Sequence, residues 1–405
     1  MAPARTRPRT AALWCAAALA VPALLTGCGR TGPGAPDAGA VPAATVVRTV
    51  LDRHAAALLR HDETAFLADV DPGFRERQRQ VFRNLAQVPL DAWTYRVVRV
   101  AAAGDGGADR ALAQVRVGYR LTGYDTTAVT SDADLTLARR DGRWYVAGDR
   151  HDAQQLWDQG PVRVVRGAHS LVLGTDGPEV LRGYADAADR AVPVVRRAWG
   201  DGWSGRVVVE VPSSAARMAA LLHAAPDTYR GIAAVTTGEL GGTAGAPADR
   251  VIVNPEAFGE LSAFGRQVVI THETTHVATR AATTATTPLW LSEGFADRVG
   301  YSGTGRTARQ AAPELSRDVA AGKVPRSLPS AADFTTATSG LAQAYEGSWL
   351  ACRLIAGEWG DARLTALYRA VATGGSLDTH LRAVLGVGLD DFTARWRAYV
   401  QRELA

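Results

Sequence analysis

Five residues constrain this chain more than any others: His272-Glu273-Thr274-Thr275-His276. If the backbone is helical, two imidazoles four positions apart share a face, because an α-helix stacks i and i+4 one turn apart. From such a face both rings can reach one metal ion. The carboxylate beside the first histidine leans toward the same cleft, where it can take a proton from an attacking water. Val268, Val269 and Ile270 precede the pentapeptide, and Gly265 offers an entry point. β-Branched residues hold a helix weakly by propensity, so packing has to hold this one.

A metal bound for catalysis needs a third protein ligand and an open fourth position. Glu293 follows His276 after 16 intervening residues, inside Pro288-Leu289-Trp290-Leu291-Ser292-Glu293-Gly294-Phe295-Ala296-Asp297. The pattern predicts a second helix here, with Thr287 as its cap and Pro288 in its first turn. Glu293 and Asp297 then lie one turn apart on one face, and a carboxylate from this helix completes a set of three.

With these stretches the chain resembles the gluzincin metallopeptidases, and within them the peptidase MA-like domain family. The matching features are the His272–His276 pentapeptide, the run from Trp290 to Asp297, and Ala344-Tyr345-Glu346-Gly347-Ser348-Trp349-Leu350. Gly374-Gly375-Ser376-Leu377, Leu385-Gly386 and the stretch from Phe392 to Trp396 match in style. The resemblance covers roughly residues 160–405 and implies a thermolysin-like catalytic domain of two lobes, a mixed sheet followed by mainly helices. It implies that His272, His276 and Glu293 bind Zn²⁺, and that Glu273 is the general base for hydrolysis of peptide bonds. Asp297 would hydrogen-bond the first histidine and fix its tautomer, and Tyr345 would steady the oxyanion. The chain departs from the large aminopeptidases in its shorter, threonine-rich loop before Glu293. It also lacks the Gly-Ala-Met-Glu-Asn signature upstream, which argues against an aminopeptidase assignment.

Some residues near these motifs have plainer readings. Tyr345 also suits a core position on an apolar helix, and Tyr301 is a rival phenol. His380 lies among Leu377, Leu381, Val384 and Leu385 and reads as solvated or structural. Arg353 could meet a substrate carboxylate or serve as a surface cation. The alternative to catalysis is a lipid-anchored binding protein on a peptidase scaffold. A structural zinc is normally closed by four protein ligands, so three candidates plus an intact base favour catalysis.

The start of the chain bears on location. Arg5, Arg7 and Arg9 precede an apolar run from Ala11 to Leu25, too short and wrongly flanked for a spanning helix. The run ends in Leu25-Thr26-Gly27-Cys28, which resembles the lipobox of bacterial lipoproteins. That resemblance implies a signal peptide over 1–27, a lipid on Cys28, and anchorage at the outer face of the cell membrane. Residues 28–42, rich in Gly, Pro and Ala, read as a flexible tether. Removing the signal takes three arginines and no acid from a net charge of +4, leaving +1. With no basic run either, nothing points to a nucleic-acid partner, and the expected substrate is a peptide or protein. Of the three cysteines, Cys15 leaves with the signal and Cys28 is lipidated, so Cys352 has no partner for a disulfide. Set in an apolar run, Cys352 reads as a buried thiol. The fold must then rest on its core and a metal.

Between tether and metal motifs the hydrophobic period changes twice. Val46, Val50, Leu51, His54, Leu58 and Leu59 fall on one helical face, and shorter helices are predicted near Phe66 and from Phe74 to Leu85. Strands are predicted over Trp93 to Val100, Ala111 to Leu121, Asp134 to Ala138 and Arg143 to Ala147, with Asp141-Gly142 as a hairpin turn. Helices followed by an antiparallel meander make an α+β unit over 43–152. In that order and in the stretch 51–59 it resembles the cone-shaped folds of the nuclear-transport-factor-2-like superfamily. A peptidase domain is expected over 153–405, opening with strands at Val162 to Val165, His169 to Leu173, Arg206 to Val211, Gly231 to Val235 and Arg250 to Asn254. A long helix from Pro178 to Trp199 and a Gly-rich loop at 238–245 interrupt those strands.

Overall fold

The computed structural model describes residues 41–103, 109–151, 155–237, 247–335 and 340–405. Cys28, the tether up to residue 40 and the Gly-rich loop lie outside the described residues. The first layer is three helices, α1 (Ala44–Leu59), α2 (Glu63–Ala68) and α3 (Arg75–Leu85), on an antiparallel meander. Its strands β1 (Leu90–Ala102), β2 (Arg110–Leu121), β3 (Val129–Arg140) and β4 (Arg143–His151) lie in sequence order. Asp141 and Gly142 both have positive φ, 50° and 78°, as a two-residue hairpin turn of this hand requires. The face of α1 differs from expectation at its ends. Val46 and Leu59 are exposed, and Val47 is buried in line with Val50, Leu51, His54 and Leu58. Val47 keeps the helical stripe where Val46 leaves it.

The second sheet comprises β5 (Arg163–Arg166), β6 (Ser170–Gly174), β7 (Val207–Val211), β8 (Ala234–Thr236) and β9 (Arg250–Val253). Its order is β5-β6-β7-β9-β8, with β6, β7 and β9 parallel and the two outer strands antiparallel to their neighbours. Helix α4 (Pro178–Trp199) lies on one face, where Val172, Val207 and Val209 pack with Leu181, Ala188 and Val192. Leu171, Leu173 and Val208 point the other way, into the core of the first sheet. A sheet covered on both faces explains why its strands read as continuous valine runs. The expected boundary after residue 152 falls in 152–154, outside the described residues. On its far side Leu156, Trp157 and Val162 belong to the first sheet's core.

The rest is helical. After α5 (Ala215–Leu221) and α6 (Pro255–Glu260) come α7 (Ala263–Thr279) and α8 (Leu289–Gly300). There follow α9 (Ala308–Ala311), α10 (Pro313–Ala320), α11 (Leu341–Glu358), α12 (Asp361–Val371), α13 (Leu377–Leu385) and α14 (Leu389–Leu404). Helix α7 packs against both α4 and α8, and α11 packs against α8. Ser262 caps α7, its hydroxyl accepting from Gly265 N at 3.1 Å. The expected cap of α8 is corrected. Pro288, extended at ψ 136°, is the capping residue, and Thr287 Oγ1 instead accepts from Thr284 N at 3.0 Å and closes the preceding loop. A hydroxyl satisfied one turn back is not free to cap forward. Among the described residues no helix is long and apolar enough to cross a membrane.

Candidate metal centre

Helix α7 carries five buried residues in its middle that would be poor helix formers alone. Thr271, Thr274 and Thr275 satisfy their hydroxyls on the helix itself, donating to Gln267 O (2.8 Å), Ile270 O (2.7 Å) and Thr271 O (2.8 Å). With their polar atoms spent locally, these threonines are buried without an unpaired hydroxyl, and His272 and His276 line the cleft.

The two histidine Nε2 atoms lie 3.0 Å apart. Glu293 Oε2, from α8, lies 3.3 Å from His272 Nε2 and 3.4 Å from His276 Nε2. Zinc–nitrogen bonds of about 2.0–2.1 Å at tetrahedral angles put ligand atoms about 3.3–3.4 Å apart. The donor set therefore fits one zinc ion with one coordination position left open. Among the described residues this is the one group of His, Cys, Asp or Glu placed to hold a metal together.

The surroundings tune the triangle. Asp297 Oδ1 lies 2.8 Å from His272 Nδ1. A carboxylate can only accept, so Nδ1 carries the hydrogen and Nε2 faces Glu293 and His276. Burial opposes charge on His272, but Asp297, then Glu293 and Glu273, outweigh it and hold its pKa well above the ordinary histidine value. Burial likewise opposes ionisation of Glu293, and His276 and His272 overcome it, so its carboxyl stays well below the usual range. The site is built to hold positive charge.

Glu273 is buried beside the triangle, and its Oε2 accepts from Thr236 Oγ1 of β8 at 2.6 Å. Tyr345, on α11, has its ring centroid 6.4 Å from that of His272 and packs edge-on to Phe334. Burial, then the charges of Glu293, Asp297 and Glu273, push its phenol pKa far above the ordinary value, so the hydroxyl remains a donor. Tyr345, His272 and Glu273 line two adjoining hollows, of about 610 Å³ and 430 Å³. The first runs past Thr236, Arg280 and the loop of residues 283–287; the second runs past Asp297, Tyr301 and Glu346.

The remaining candidates fall elsewhere. Tyr301 packs between Phe264 and Trp349 in the second hollow. His380 Nε2 lies 2.7 Å from Gly374 O, a structural hydrogen bond. Arg353 pairs with Glu403 at 2.9 Å and stacks on Trp349 and Tyr399. Cys352 is fully buried, and burial raises its thiol pKa far above the ordinary value. His54 is buried in the first layer, stacked on Phe66.

Sequence reasoning missed three contributors. Thr236 ends β8, one residue past the strand predicted over Gly231 to Val235. Gly294 packs against α11 so closely that a Cβ would lie 2.2 Å from Ser348 O. Glu346 crosses to the start of α10, its Oε2 accepting from Leu315 N at 2.5 Å. Its pKa is pushed up to about 8 by burial, then by Glu314. The signal for Glu346 was present, an acid inside an otherwise apolar helical stretch.

No family model and no curated protein matches the chain. Among solved structures it is similar to a two-domain M1 zinc metallopeptidase variant bound to L-arginine, at 14% identity over 77% of this chain and TM-score 0.33. It is similar to an M1 zinc metallopeptidase from Deinococcus radiodurans, at 17% identity over 73% of this chain and TM-score 0.32. The chain spans 62% of the length of each of these two. A protein containing a SEC-C motif, from Rhodopseudomonas palustris, matches at 20% identity over 24% of this chain and 70% of its own, with TM-score 0.20. Likenesses this distant leave the assignment to the site itself.

Proposed function

We propose that this chain is a zinc-dependent peptidase, with His272, His276 and Glu293 holding the ion and Glu273 as general base. The carrying observation is the three-atom triangle with sides of 3.0, 3.3 and 3.4 Å beside a buried carboxylate in an open cleft. Zinc held there would supply a Lewis acid that polarises the scissile carbonyl and makes water acidic near neutral pH. Glu273 takes a proton from the attacking water and passes it to the leaving amine. Asp297 keeps His272 in the tautomer that ligates. The Tyr345 hydroxyl donates to the oxyanion that develops on the carbonyl oxygen. The two hollows meet at Glu273, and this continuity supports an extended peptide or protein as substrate.

The same reading places the enzyme at the outer face of the membrane, anchored by a lipid on Cys28 and with no nucleic-acid partner. It divides the chain into an NTF2-like unit over 43–152 and a gluzincin unit over 153–405. The meander under three helices supports the first and the two convergent helices α7 and α8 the second.

Metal analysis beside cleavage of a peptide library, with and without chelator, tests the chemistry. Glu273→Gln keeps its size and its contact with Thr236 but is no useful base. It should retain about one zinc per chain and lose about 10²–10⁴-fold in rate. His272→Ala should lose zinc and activity together. A Glu273→Gln variant cleaving at the wild-type rate sinks the mechanism. A wild type that holds no zinc and cleaves nothing leaves the binding-protein alternative.

A further inference from the structure

We propose that the first sheet holds the catalytic carboxylate in place through a buried ion pair, Asp125 with Arg250, which makes Asp125, Arg250 and Thr236 positioning residues for the reaction. This rests on the peptidase reading above.

Asp125 follows β2. Its Oδ2 accepts from Leu121 N at 2.8 Å and its Oδ1 from Ala248 N at 3.0 Å. Arg250, the first residue of β9, meets it with both ends of the guanidinium, Nη1 to Oδ1 and Nη2 to Oδ2, each at 2.8 Å. The aspartate side chain is wholly buried and that of Arg250 is 8% exposed. A two-point pair of this kind sets direction as well as distance. Glu210 of β7 approaches the same guanidinium at 3.8 Å, so Arg250 is bracketed by carboxylates from both sheets.

Strand alternation turns this anchor into a constraint on the site. Val251 and Val253 face α4, so Arg250 faces the first sheet. Val251 lies opposite Thr236 in the ladder between β9 and β8. Thr237 closes on Arg250 itself, its N donating to Arg250 O at 2.8 Å and its Oγ1 accepting from Arg250 N at 3.2 Å. From the other face Arg280, just past α7, donates to Thr236 O at 3.4 Å and pairs with Asp249 at 2.8 Å. Neighbouring residues 249 and 250 thus tie the end of β9 that pairs with β8 to the metal helix and to the first sheet. The need for such ties is physical. β8 has three residues and one neighbouring strand, and edge segments with few contacts open first. Its Thr236 hydroxyl is what holds Glu273 Oε2, and a general base works only within hydrogen-bond reach of its proton.

The test uses the full chain. Asp125→Asn breaks the charge pairing. The variant Asp125→Leu/Arg250→Met/Glu210→Gln replaces the pair with apolar groups and neutralises the carboxylate on its other side, so no charge is left buried alone. Thr236→Val removes the hydroxyl from which Glu273 accepts and leaves the Asp125–Arg250 pair intact. Each should lower kcat about 10- to 100-fold, the scale for small misplacement of a reacting group, with KM and zinc content unchanged. Combining Thr236→Val with the apolar pair should cost no more than the worse of the two, since both act through one hydrogen bond. Amide exchange at residues 234–237 should quicken in the apolar pair and stay unchanged in α8 and α11. Wild-type kcat in Thr236→Val overturns the proposal, as does a folded apolar pair with wild-type kcat or losses that simply multiply. If the wild type cleaves no peptide, the peptidase reading fails separately, and unchanged exchange at 234–237 in the folded apolar pair then overturns the clamp.

Discussion

Asp297 and Glu293 leave the same face of α8, and both reach His272, one at Nδ1 and one at Nε2. In the proposed site one helix would therefore supply a ligand and the group that orients a ligand from another helix. Replacing Asp297 by Ala should weaken zinc affinity about 10–100-fold while leaving the three donors in place. Competition with a chelator measures it, and unchanged affinity with unchanged turnover would remove the role. His54 shows how differently a histidine behaves without such neighbours. Its Nδ1–H donates to Phe66 O at 3.1 Å, and burial lowers its pKa to about 4. Between pH 4 and an unfolded value near 6.5 the unfolded chain carries the extra proton, so stability falls as pH drops through that window. The full effect is about 3 kcal/mol. Denaturant unfolding at pH 7 and pH 4.5 should show a much smaller loss in His54→Phe than in wild type. Equal losses would mean that another group carries the acid sensitivity. Both histidines were visible in sequence, but only neighbours distant in the chain separate their roles.

At the scale of elements, the site depends on how closely α8 approaches α11. Gly294 makes that approach, with Ser348 backbone and Cys352 Sγ where a Cβ would stand. Gly294→Ala must push the helices apart, at about 1–3 kcal/mol for overpacking. Because Glu293 is its neighbour, the shift also pulls Oε2 away from the histidines. Thermal unfolding in excess chelator isolates the packing loss, and a zinc titration should show weaker binding as well. Full affinity in the variant would show that α8 carries Glu293 without help from this contact. The long elements were legible because their periods are strong, as with α4, whose bounds match the predicted Pro178 to Trp199. The cap of α8 was not, because Thr287 fits the sequence signature of a cap while its hydroxyl already serves the turn behind it.

At the scale of the molecule, the valines of β6 and β7 divide between two cores, one under α4 and one shared with the first sheet. A chain cut near residue 152 would expose Leu171, Leu173 and Val208 and leave Arg250 without its bidentate partner. The proposed membrane anchor is a separate matter, resting on Cys28 alone. Cys28→Ser should move the protein from the membrane fraction to the medium, or block its processing. A variant that matures normally and still sediments with membranes would exclude a lipid at that position.

The sequence by itself determined which side chains could form the site. His272 and His276 converge because helical spacing is a local property, and Glu293 with Asp297 because the next helix repeats that logic. It also determined the order of helices and strands, since burial on one or two faces leaves periods of 3.6 and 2 in the chain. Only the tertiary structure decided what holds Glu273. Thr236 lies 37 residues before it, and Asp125 lies 125 residues before Arg250. Contacts across such separations leave no period in the sequence, because they depend on how finished elements pack rather than on how each one forms.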